Sequence, residues 1–293
     1  MMNAVSKVQL VNAAVACHKG CVRNNNEDNF LFNGDRMKLE EMDAGALIGR
    51  RFEDGCQLYA VVDGMGGGDL GERASAIAAG MLVGVLADMA RLDPAQCLTQ
   101  AAYQINRAVR DDCREHGADY EGTTMTALAL RDGTAHICNV GDSRVYRLRG
   151  DALEQLTEDH SVVWEEYRAG RITMEQARKS PSNNMITRFL GMEDADMPEP
   201  FAALRQETLQ PGDRFMLCSD GVSDLLSFRT IAEVMQREKD PLPCAVALVQ
   251  MALEEGGKDN ATCIVADVIK VTEGGSAAPK APAAQTTTTT ISL

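Results

Sequence analysis

Residues 58 to 71 have the sequence Leu58-Tyr-Ala-Val-Val-Asp-Gly-Met-Gly-Gly-Gly-Asp-Leu-Gly71. The apolar run from Leu58 to Val62 predicts a buried strand that ends at Asp63 and is followed by four glycines within five residues. A carboxylate at the carboxyl end of a strand, beside backbone that bends freely, suits a hard cation or a phosphate. An ordinary Asp-Gly turn fits this stretch equally well, so other parts of the chain must decide.

The composition limits the class of protein. The 293 residues are 45% hydrophobic and 25% charged, which is ordinary for a globular chain. The formal net charge of −14 argues against binding to nucleic acid, which needs a basic face, and permits a carboxylate cluster that metal would neutralise. The nine cysteines include no Cys-x-x-Cys pair, and we find no signal peptide and no apolar run near about 18 residues. We therefore expect a reduced, cytoplasmic chain without nucleic-acid or membrane partners, and we expect a monomer.

One cysteine group suggests a zinc site. Cys17, His18 and Cys21 lie close together in the sequence. No second pair follows with the spacing of a zinc finger, so buried cysteines on a strand are the favoured interpretation.

Hydrophobic periodicity predicts the elements. We predict strands at 8–18, 30–32, 124–131, 134–140, 143–149, 152–156, 214–218 and 261–271, with an irregular surface excursion at 33–56. We predict a helix from Ala74 to near Arg91 and a second from Asp93-Pro94 to about His116, and two later helices that start at Ser227 and Asp240-Pro241. Strands in runs and helices in pairs favour an antiparallel α+β fold.

The chain divides into one predicted domain and a tail of different composition. Residues 1–271 form one domain in this prediction, and residues 157–200 are polar and helical in character. Residues 272–293 are rich in Ala, Pro, Gly and Thr, and include five consecutive threonines. Such a segment cannot bury enough apolar surface to offset its ordering entropy, so we predict a disordered tail.

The glycines at 66, 68 and 71 match the Gly-x-Gly-x-x-Gly pattern of dinucleotide sites. The predicted helix that follows leads into another helix, whereas a dinucleotide fold continues to a parallel strand that ends in an acidic residue. Asp63 would also face the pyrophosphate without a cation. No Gly-Lys-Ser/Thr follows, so a Walker loop is excluded too.

Aspartates recur at the ends of apolar strands. Asp63, Asp220 and Asp259 each stand at the edge of such a strand, and further acidic residues occur at Glu27, Asp28, Asp142 and Asp224. Several carboxylates at strand ends indicate one converging site for Mg²⁺ or Mn²⁺, which prefer oxygen ligands. Asp63 could bridge two ions while the Gly64 carbonyl ligates one. Two ions about 3.5–4 Å apart lower the pKa of a bridging water and clamp an in-line displacement at phosphorus.

An anionic substrate also needs a fixed cation. Arg23 lies a few residues before Glu27 and Asp28, and a guanidinium holds phosphate with two hydrogen bonds. Taken alone, an arginine in a loop is more often a solvated surface group.

Eight motifs occur in one order along the chain. They are Arg23-x-x-Asn-Glu-Asp28, Val62-Asp-Gly-Met-Gly-Gly67, Gly122-Thr-Thr124, Gly141-Asp-Ser-Arg144, Leu156-Thr-x-Asp-His-Ser161, Ile186-Thr-Arg-x-Leu-Gly191, Cys218-Ser-Asp-Gly-Val-x-Asp224 and Lys258-Asp-Asn-Ala-Thr262. From about Ala14 to Ala266 the chain resembles the bacterial branch of the metal-dependent, type 2C (PPM) serine/threonine protein phosphatases.

The resemblance implies a fold and a set of site residues. The fold would be a central antiparallel β-sandwich flanked by pairs of antiparallel helices, with a flap at about 157–200. The direct metal ligands would be Asp63, Asp220, Asp259 and the Gly64 carbonyl. Glu27 and Asp28 would act through metal-bound water, and Arg23 would bind the phosphoryl group. A weaker third ion would use Asp142 and Asp224 with Asp220, and Asp119 is a competing candidate for it.

Met65 departs from the better-known eukaryotic pattern. Those members carry histidine after Asp-Gly, whereas the thioether of Met65 cannot donate a proton to the leaving oxygen. The general acid is therefore unassigned; a metal-bound water is preferred, and His160 is a distant second.

The resemblance implies an activity and a partner. We expect a Mn²⁺- or Mg²⁺-dependent signalling hydrolase in which a metal-bridging hydroxide attacks the phosphorus of phosphoserine or phosphothreonine in a single step. Its action would reverse that of a bacterial serine/threonine kinase. Two alternatives stay open: a catalytically silent phosphoprotein-binding module on the same fold, and a two-metal nuclease or phosphodiesterase, which the lack of a basic groove disfavours.

Overall fold

The computed structural model describes residues 7–53, 55–66, 70–117, 121–173, 176–177, 180, 182 and 185–273. The strands of these residues are β1 (Lys7–His18), β2 (Asp28–Phe32), β3 (Ala46–Glu53), β4 (Gln57–Met65), β5 (Gly122–Thr123), β6 (Met125–Arg131), β7 (Thr134–Val140), β8 (Arg144–Arg149), β9 (Ala152–Gln155), β10 (Ala203–Thr208), β11 (Arg214–Cys218) and β12 (Ala261–Glu273). The helices are α1 (Leu70–Met89), α2 (Pro94–Glu115), α3 (Val162–Arg168), α4 (Asp220–Ser223), α5 (Phe228–Arg237) and α6 (Pro241–Glu254), with a 3₁₀ helix at Leu39–Ala44.

Two antiparallel sheets form the centre of the fold. The first sheet has the order β3-β1-β12-β11-β8-β9, and the second has the order β10-β7-β6-β4-β2, with β5 paired to β4. The apolar faces of the two sheets enclose a core that includes Phe30, Phe32, Tyr59 and Phe215. Alternate residues of each strand face this core, and the residues between them face the outer side of the sheet. Because that outer side is covered as well, β6 and β7 are buried almost continuously.

Helices cover both outer faces. On the second sheet, α1 and α2 bury residues such as Leu82 and Ile105 against β4 and β6. On the first sheet, α5 buries Ile231 on the side of β8, and α6 buries Leu248 against β1 and β12. The layers are therefore helix, sheet, sheet and helix, and the predicted α+β sandwich is confirmed.

Helix starts agree with the capping signals in the sequence. The Asp93 side chain accepts a hydrogen bond from the Gln96 amide, and Pro94 occupies the first turn of α2. The Ser227 hydroxyl accepts one from the Thr230 amide at the start of α5. These side chains satisfy amides that have no partner within the helix.

Several segments differ from the sequence prediction. Residues 33–56 are not an irregular excursion, since they contain the 3₁₀ helix and β3, an edge strand paired with β1. The half-exposed charges of β3, among them Arg50 and Arg51, hide its alternation. The strand β10 was not predicted, and its alternately exposed residues pair with β7. The last strand continues to Glu273; the remainder of the predicted tail, residues 274–293, lies outside the described residues.

The helix α1 has the length and apolar composition of a membrane span, which the sequence prediction did not anticipate. Its residues Ala74, Ala78 and Leu82 are buried and pack in the core beneath the second sheet. One such helix is weak evidence of a membrane span, and 33% of its apolar window is buried inside the fold.

Candidate functional site

The acidic residues of the predicted site meet at one end of the sandwich. Antiparallel pairing brings the end of β4 beside the start of β2, so that Asp63 lies opposite Asp28. The end of β11 likewise lies beside the start of β12, which brings Asp220 and Asp259 to the same end. Asp142 lies in the turn between β7 and β8, which links the two sheets there.

The charges of these carboxylates are mutually unfavourable. Burial raises the pKa of Asp63 well above its usual range, and the nearby carboxylates of Asp28, Asp220, Asp142 and Asp259 raise it further. Asp220 is perturbed in the same direction, first by burial and then by its acidic neighbours. Such a concentration of buried acid requires either protons or a cation.

Asp28 shows where that cation would be accommodated. One of its carboxylate oxygens, Oδ2, accepts hydrogen bonds from the hydroxyls of Ser219 and Thr262, each at 2.7 Å. The other oxygen, Oδ1, is buried and has no hydrogen-bond partner. Burial raises the pKa of Asp28 to about 7. A buried carboxylate oxygen without a partner fits a hydrated divalent cation, because water of its hydration shell can donate to that oxygen.

The carboxylates are not arranged as a finished coordination shell. Among the described residues, no group of three acidic, histidine or cysteine side chains closes on a single point. The donors are nonetheless hard oxygens, which suit Mg²⁺ and Mn²⁺ better than softer metals.

The backbone at Asp63 and Gly64 is held on both sides. The carbonyl of Asp63 accepts from the Thr124 amide at 2.8 Å and from the Thr123 hydroxyl at 2.9 Å. The Gly64 amide donates to the Glu27 carbonyl at 3.1 Å. A Cβ atom on Gly64 would lie 2.1 Å from the carbonyl oxygen of Gly71, so no larger residue fits without backbone movement. The glycine therefore permits close backbone approach at the predicted metal ligand.

The loop between β1 and β2 carries Arg23 and Glu27 to the same end. The Arg23 guanidinium lies 2.6 Å from Asp259 Oδ2, and 47% of its side chain is exposed. Glu27 is buried, and burial raises the pKa of its carboxyl to about 7. An exposed guanidinium at the edge of a carboxylate cluster is accessible to an anionic substrate.

Asn260 organises this loop. Its side chain donates to the carbonyls of Lys19 and Asn25, and accepts from the Glu27 amide at 2.8 Å. Sequence reasoning assigned no role to Asn260 or Thr262 and favoured a structural role for Ser219, and all three belong to the quoted motifs. Their residue types were the available signal, since buried hydroxyls and amides seek hydrogen-bond partners.

Of the residues predicted to bind a third ion, Asp142, Asp220 and Asp224 belong to the part of the chain that the structure describes. Burial, followed by the charges of Asp159 and Asp224, raises the pKa of Asp142 to about 7. Arg144 pairs with Asp159 at 2.6 Å and lies 4.0 Å from Asp224, so a cation already adjoins this cluster. Asp119 lies outside the described residues.

His160 is poorly suited to donate a proton. Its Nδ1 accepts a hydrogen bond from the Gly141 amide at 3.1 Å. Burial, followed by the charge of Arg188, lowers the pKa of His160 to about 4. At neutral pH the ring is therefore uncharged and fixed to the backbone, which argues for a structural role.

The histidine and cysteines near residue 20 do not form a zinc site in the described residues. Cys17 is buried, and burial raises the pKa of its thiol to about 12. His18 Nδ1 accepts from the Gly20 amide at 2.9 Å.

Comparison with known proteins gives a consistent set of matches. Residues 42–255 match the family model described as protein phosphatase 2C. The chain is 36% identical over 223 residues to the serine/threonine protein phosphatase PstP of Mycobacterium tuberculosis, covering 73% of this chain and 41% of that protein. It is 30% identical over 243 residues to the serine/threonine phosphatase stp of Listeria monocytogenes, covering 81% of this chain and 94% of that protein. The chain therefore spans about two fifths of the length of the first of these relatives.

A solved structure is also similar. The catalytic domain of PstP in complex with two manganese ions superposes with a TM-score of 0.73 at 32% identity, covering 89% of this chain and all of that one.

Proposed function

The chain belongs to the protein phosphatase 2C family, and from that membership we propose that it is a metal-dependent phosphatase of phosphoserine and phosphothreonine in proteins. The observation that carries this proposal is the mutually repelling set of Asp28, Asp63, Asp220 and Asp259 beside the exposed Arg23; Asp28 is fully buried and the other three are half-buried. A silent binding module would not need four carboxylates gathered beside one arginine, an arrangement that is costly without a bound cation.

The metal would be held by Asp63, Asp220, Asp259 and the Gly64 carbonyl, with Glu27 and Asp28 acting through water. Two bound Mn²⁺ or Mg²⁺ ions would lower the pKa of a shared water and neutralise charge on the transferred phosphoryl group. Ser219 and Thr262 fix Asp28 so that its unpaired Oδ1 stays available to a water. The two-manganese complex of the PstP catalytic domain supports a pair of ions.

Arg23 would bind and orient the phosphate. Its guanidinium already lies against Asp259, and it can turn to an incoming phosphate without crossing the core. Because Met65 cannot supply a proton and His160 is uncharged and fixed, neither side chain suits the role of general acid, and a water held at the metal site stays the preferred proton donor to the leaving serine or threonine oxygen.

Replacing Arg23 by alanine should weaken substrate binding more than metal binding. A charge-assisted hydrogen bond contributes about 1.5–3 kcal/mol, so KM should rise by roughly ten- to a hundredfold. Steady-state kinetics on a phosphothreonine peptide, with Mn²⁺ saturating, measures this change. Arg168→Ala is a matched control, because that arginine pairs with Glu158 on the flap and should leave KM unchanged. An unaltered KM in Arg23→Ala would contradict the assigned role.

The proposed function is tested by phosphate release. The purified chain should release phosphate from phosphoserine and phosphothreonine peptides with Mn²⁺, lose this activity with a chelator, and regain it when Mn²⁺ is restored. Binding of a phosphopeptide without turnover would favour the silent module. Release of nucleotides from DNA or RNA under the same conditions would favour the nuclease.

The biological setting follows from the proposed substrates. Phosphorylated serine and threonine side chains require a serine/threonine kinase that produces them, and this phosphatase would reverse that reaction. A cytoplasmic location and a monomeric state are part of the same proposal.

A further inference from the structure

Asn106 is a buried amide in the middle of α2. Asparagine is unfavourable in a helix interior, and the neighbouring buried positions Ile105 and Val109 are apolar. A buried amide left without partners costs about 1–3 kcal/mol. We therefore expect the Asn106 side chain to have specific hydrogen-bond partners.

Those partners belong to a segment 85 residues further along the chain. Asn106 Oδ1 accepts from the Gly191 amide at 2.8 Å and from the Met192 amide at 2.9 Å. Its Nδ2 donates to the Met192 carbonyl at 3.0 Å. Asn106 thus pairs with the backbone at residues 190–192, which we term the flap root.

The flap root is in direct backbone contact with the segment before β6. Leu190 and Thr123 exchange two hydrogen bonds, at 2.8 and 3.0 Å. A Cβ atom on Gly191 would lie 2.7 Å from the Glu121 carbonyl oxygen, and one on Gly122 would lie 2.5 Å from that of Leu190. The contact allows no intervening side chain.

Thr123 also contacts Asp63 and Gly64, the predicted metal ligands. Thr123 lies opposite Gly64 in the β4–β5 pairing, and its hydroxyl donates to the Asp63 carbonyl. A continuous set of hydrogen bonds therefore runs from Asn106 through the flap root and Thr123 to Asp63.

We propose that Asn106 is a positioning residue for the metal site: it fixes the flap root against β5, and β5 in turn holds Asp63 and Gly64 in the orientation that binds metal. This inference rests on the proposed function only in taking Asp63 and Gly64 as metal ligands. The role is one of orientation, since the side-chain hydrogen bonds of Asn106 within the described residues go to Gly191, Met192 and Met197 and not to the carboxylate cluster.

The test is Asn106→Leu, which keeps the approximate volume and a strong helix former but removes the hydrogen bonds. Residues that orient metal ligands typically change metal affinity by about 10–100-fold when they are replaced, so we expect the dissociation constant for Mn²⁺ to rise about tenfold. Titration calorimetry of Mn²⁺ into metal-free protein measures this without reference to activity.

Ile105→Val is the matched control. Ile105 is also buried in α2, and this change costs about 0.5–1.5 kcal/mol of stability. A merely structural role of Asn106 would make the two variants alike, whereas the proposal requires that only Asn106→Leu weakens Mn²⁺ binding.

Hydrogen exchange gives an independent measurement. In the unaltered chain the Gly191 and Met192 amides should be protected, and in Asn106→Leu exchange should accelerate there and at Thr123 and Thr124. If the leucine variant does not fold, Asn106→Ala carries the same expectations. Unprotected amides at 191 and 192 in the unaltered chain, or an unchanged Mn²⁺ affinity in a folded variant, would overturn the inference.

The outcome is separable from that of the proposed function. A chain that binds Mn²⁺ but releases no phosphate would refute the phosphatase, while the two Mn²⁺ affinities would still decide the role of Asn106.

Discussion

Asp63→Asn is expected to reduce phosphate release by more than about a hundredfold, since even residues that only orient metal ligands change activity by about 10–100-fold. Asparagine has the same shape but lacks the negative charge, and its amide nitrogen cannot ligate a cation. Asp63 is one of the residues that would hold the metal, so metal binding should weaken as well. Phosphopeptide turnover and Mn²⁺ titration of the same preparation measure the two effects.

The same substitution should stabilise the metal-free protein. Burial and four neighbouring carboxylates make an ionised Asp63 unfavourable in the fold, as the raised pKa of its carboxyl shows. A neutral side chain removes that repulsion. A gain of about 1 kcal/mol corresponds to a rise of roughly 2–4 °C in Tm for a domain of 150–250 residues. Thermal unfolding in the presence of a chelator measures it.

Asp88→Asn provides the comparison for Asp63→Asn. Asp88 is an exposed carboxylate near the end of α1, away from the site, and its replacement should change neither turnover nor Tm appreciably. Full turnover in Asp63→Asn would refute the assigned role. A lower metal-free Tm in that variant would show that the electrostatic argument is wrong.

Gly64→Ala should abolish activity and destabilise the fold. The added Cβ would lie 2.1 Å from the Gly71 carbonyl oxygen and 2.7 Å from that of Glu27, and both atoms belong to backbone that cannot rotate away. The start of α1 or the Glu27 loop must therefore move, and both adjoin the carboxylate cluster. Overpacking of this kind costs about 1–3 kcal/mol. Denaturant unfolding and phosphopeptide turnover measure the two losses.

A second glycine supplies the control. Gly84 lies on the exposed part of α1, and no heavy atom approaches within 4 Å of where its Cβ would stand. Because glycine is about 0.8–1.0 kcal/mol less favourable than alanine in a helix, Gly84→Ala should stabilise the protein and leave turnover unchanged. If Gly64→Ala and Gly84→Ala had the same stability and the same turnover, close packing would not explain why a glycine is needed at position 64.

Local patterns carried much of the fold prediction. The apolar run at Leu58–Val62 correctly predicted β4, and the Asp93-Pro94 capping signal correctly predicted the start of α2. These succeed because a cap or a period of two depends on neighbours within a few residues. The strands β3 and β10 were missed because each is half-exposed and is stabilised by pairing with a distant strand.

The candidate site divides in the same way. The sequence alone predicted which residues would carry the chemistry, because carboxylates at strand ends, an arginine in the first loop and glycines after Asp63 are properties of residue type and order. Only the tertiary structure decided how these residues are held. Ser219 and Thr262 donate hydrogen bonds to Asp28 and are 191 and 234 residues away from it in the sequence. Asn106 binds the flap root, which lies 85 residues further along the chain. Hydrogen bonds between such distant residues arise only once the sheets have paired and their buried polar atoms need partners.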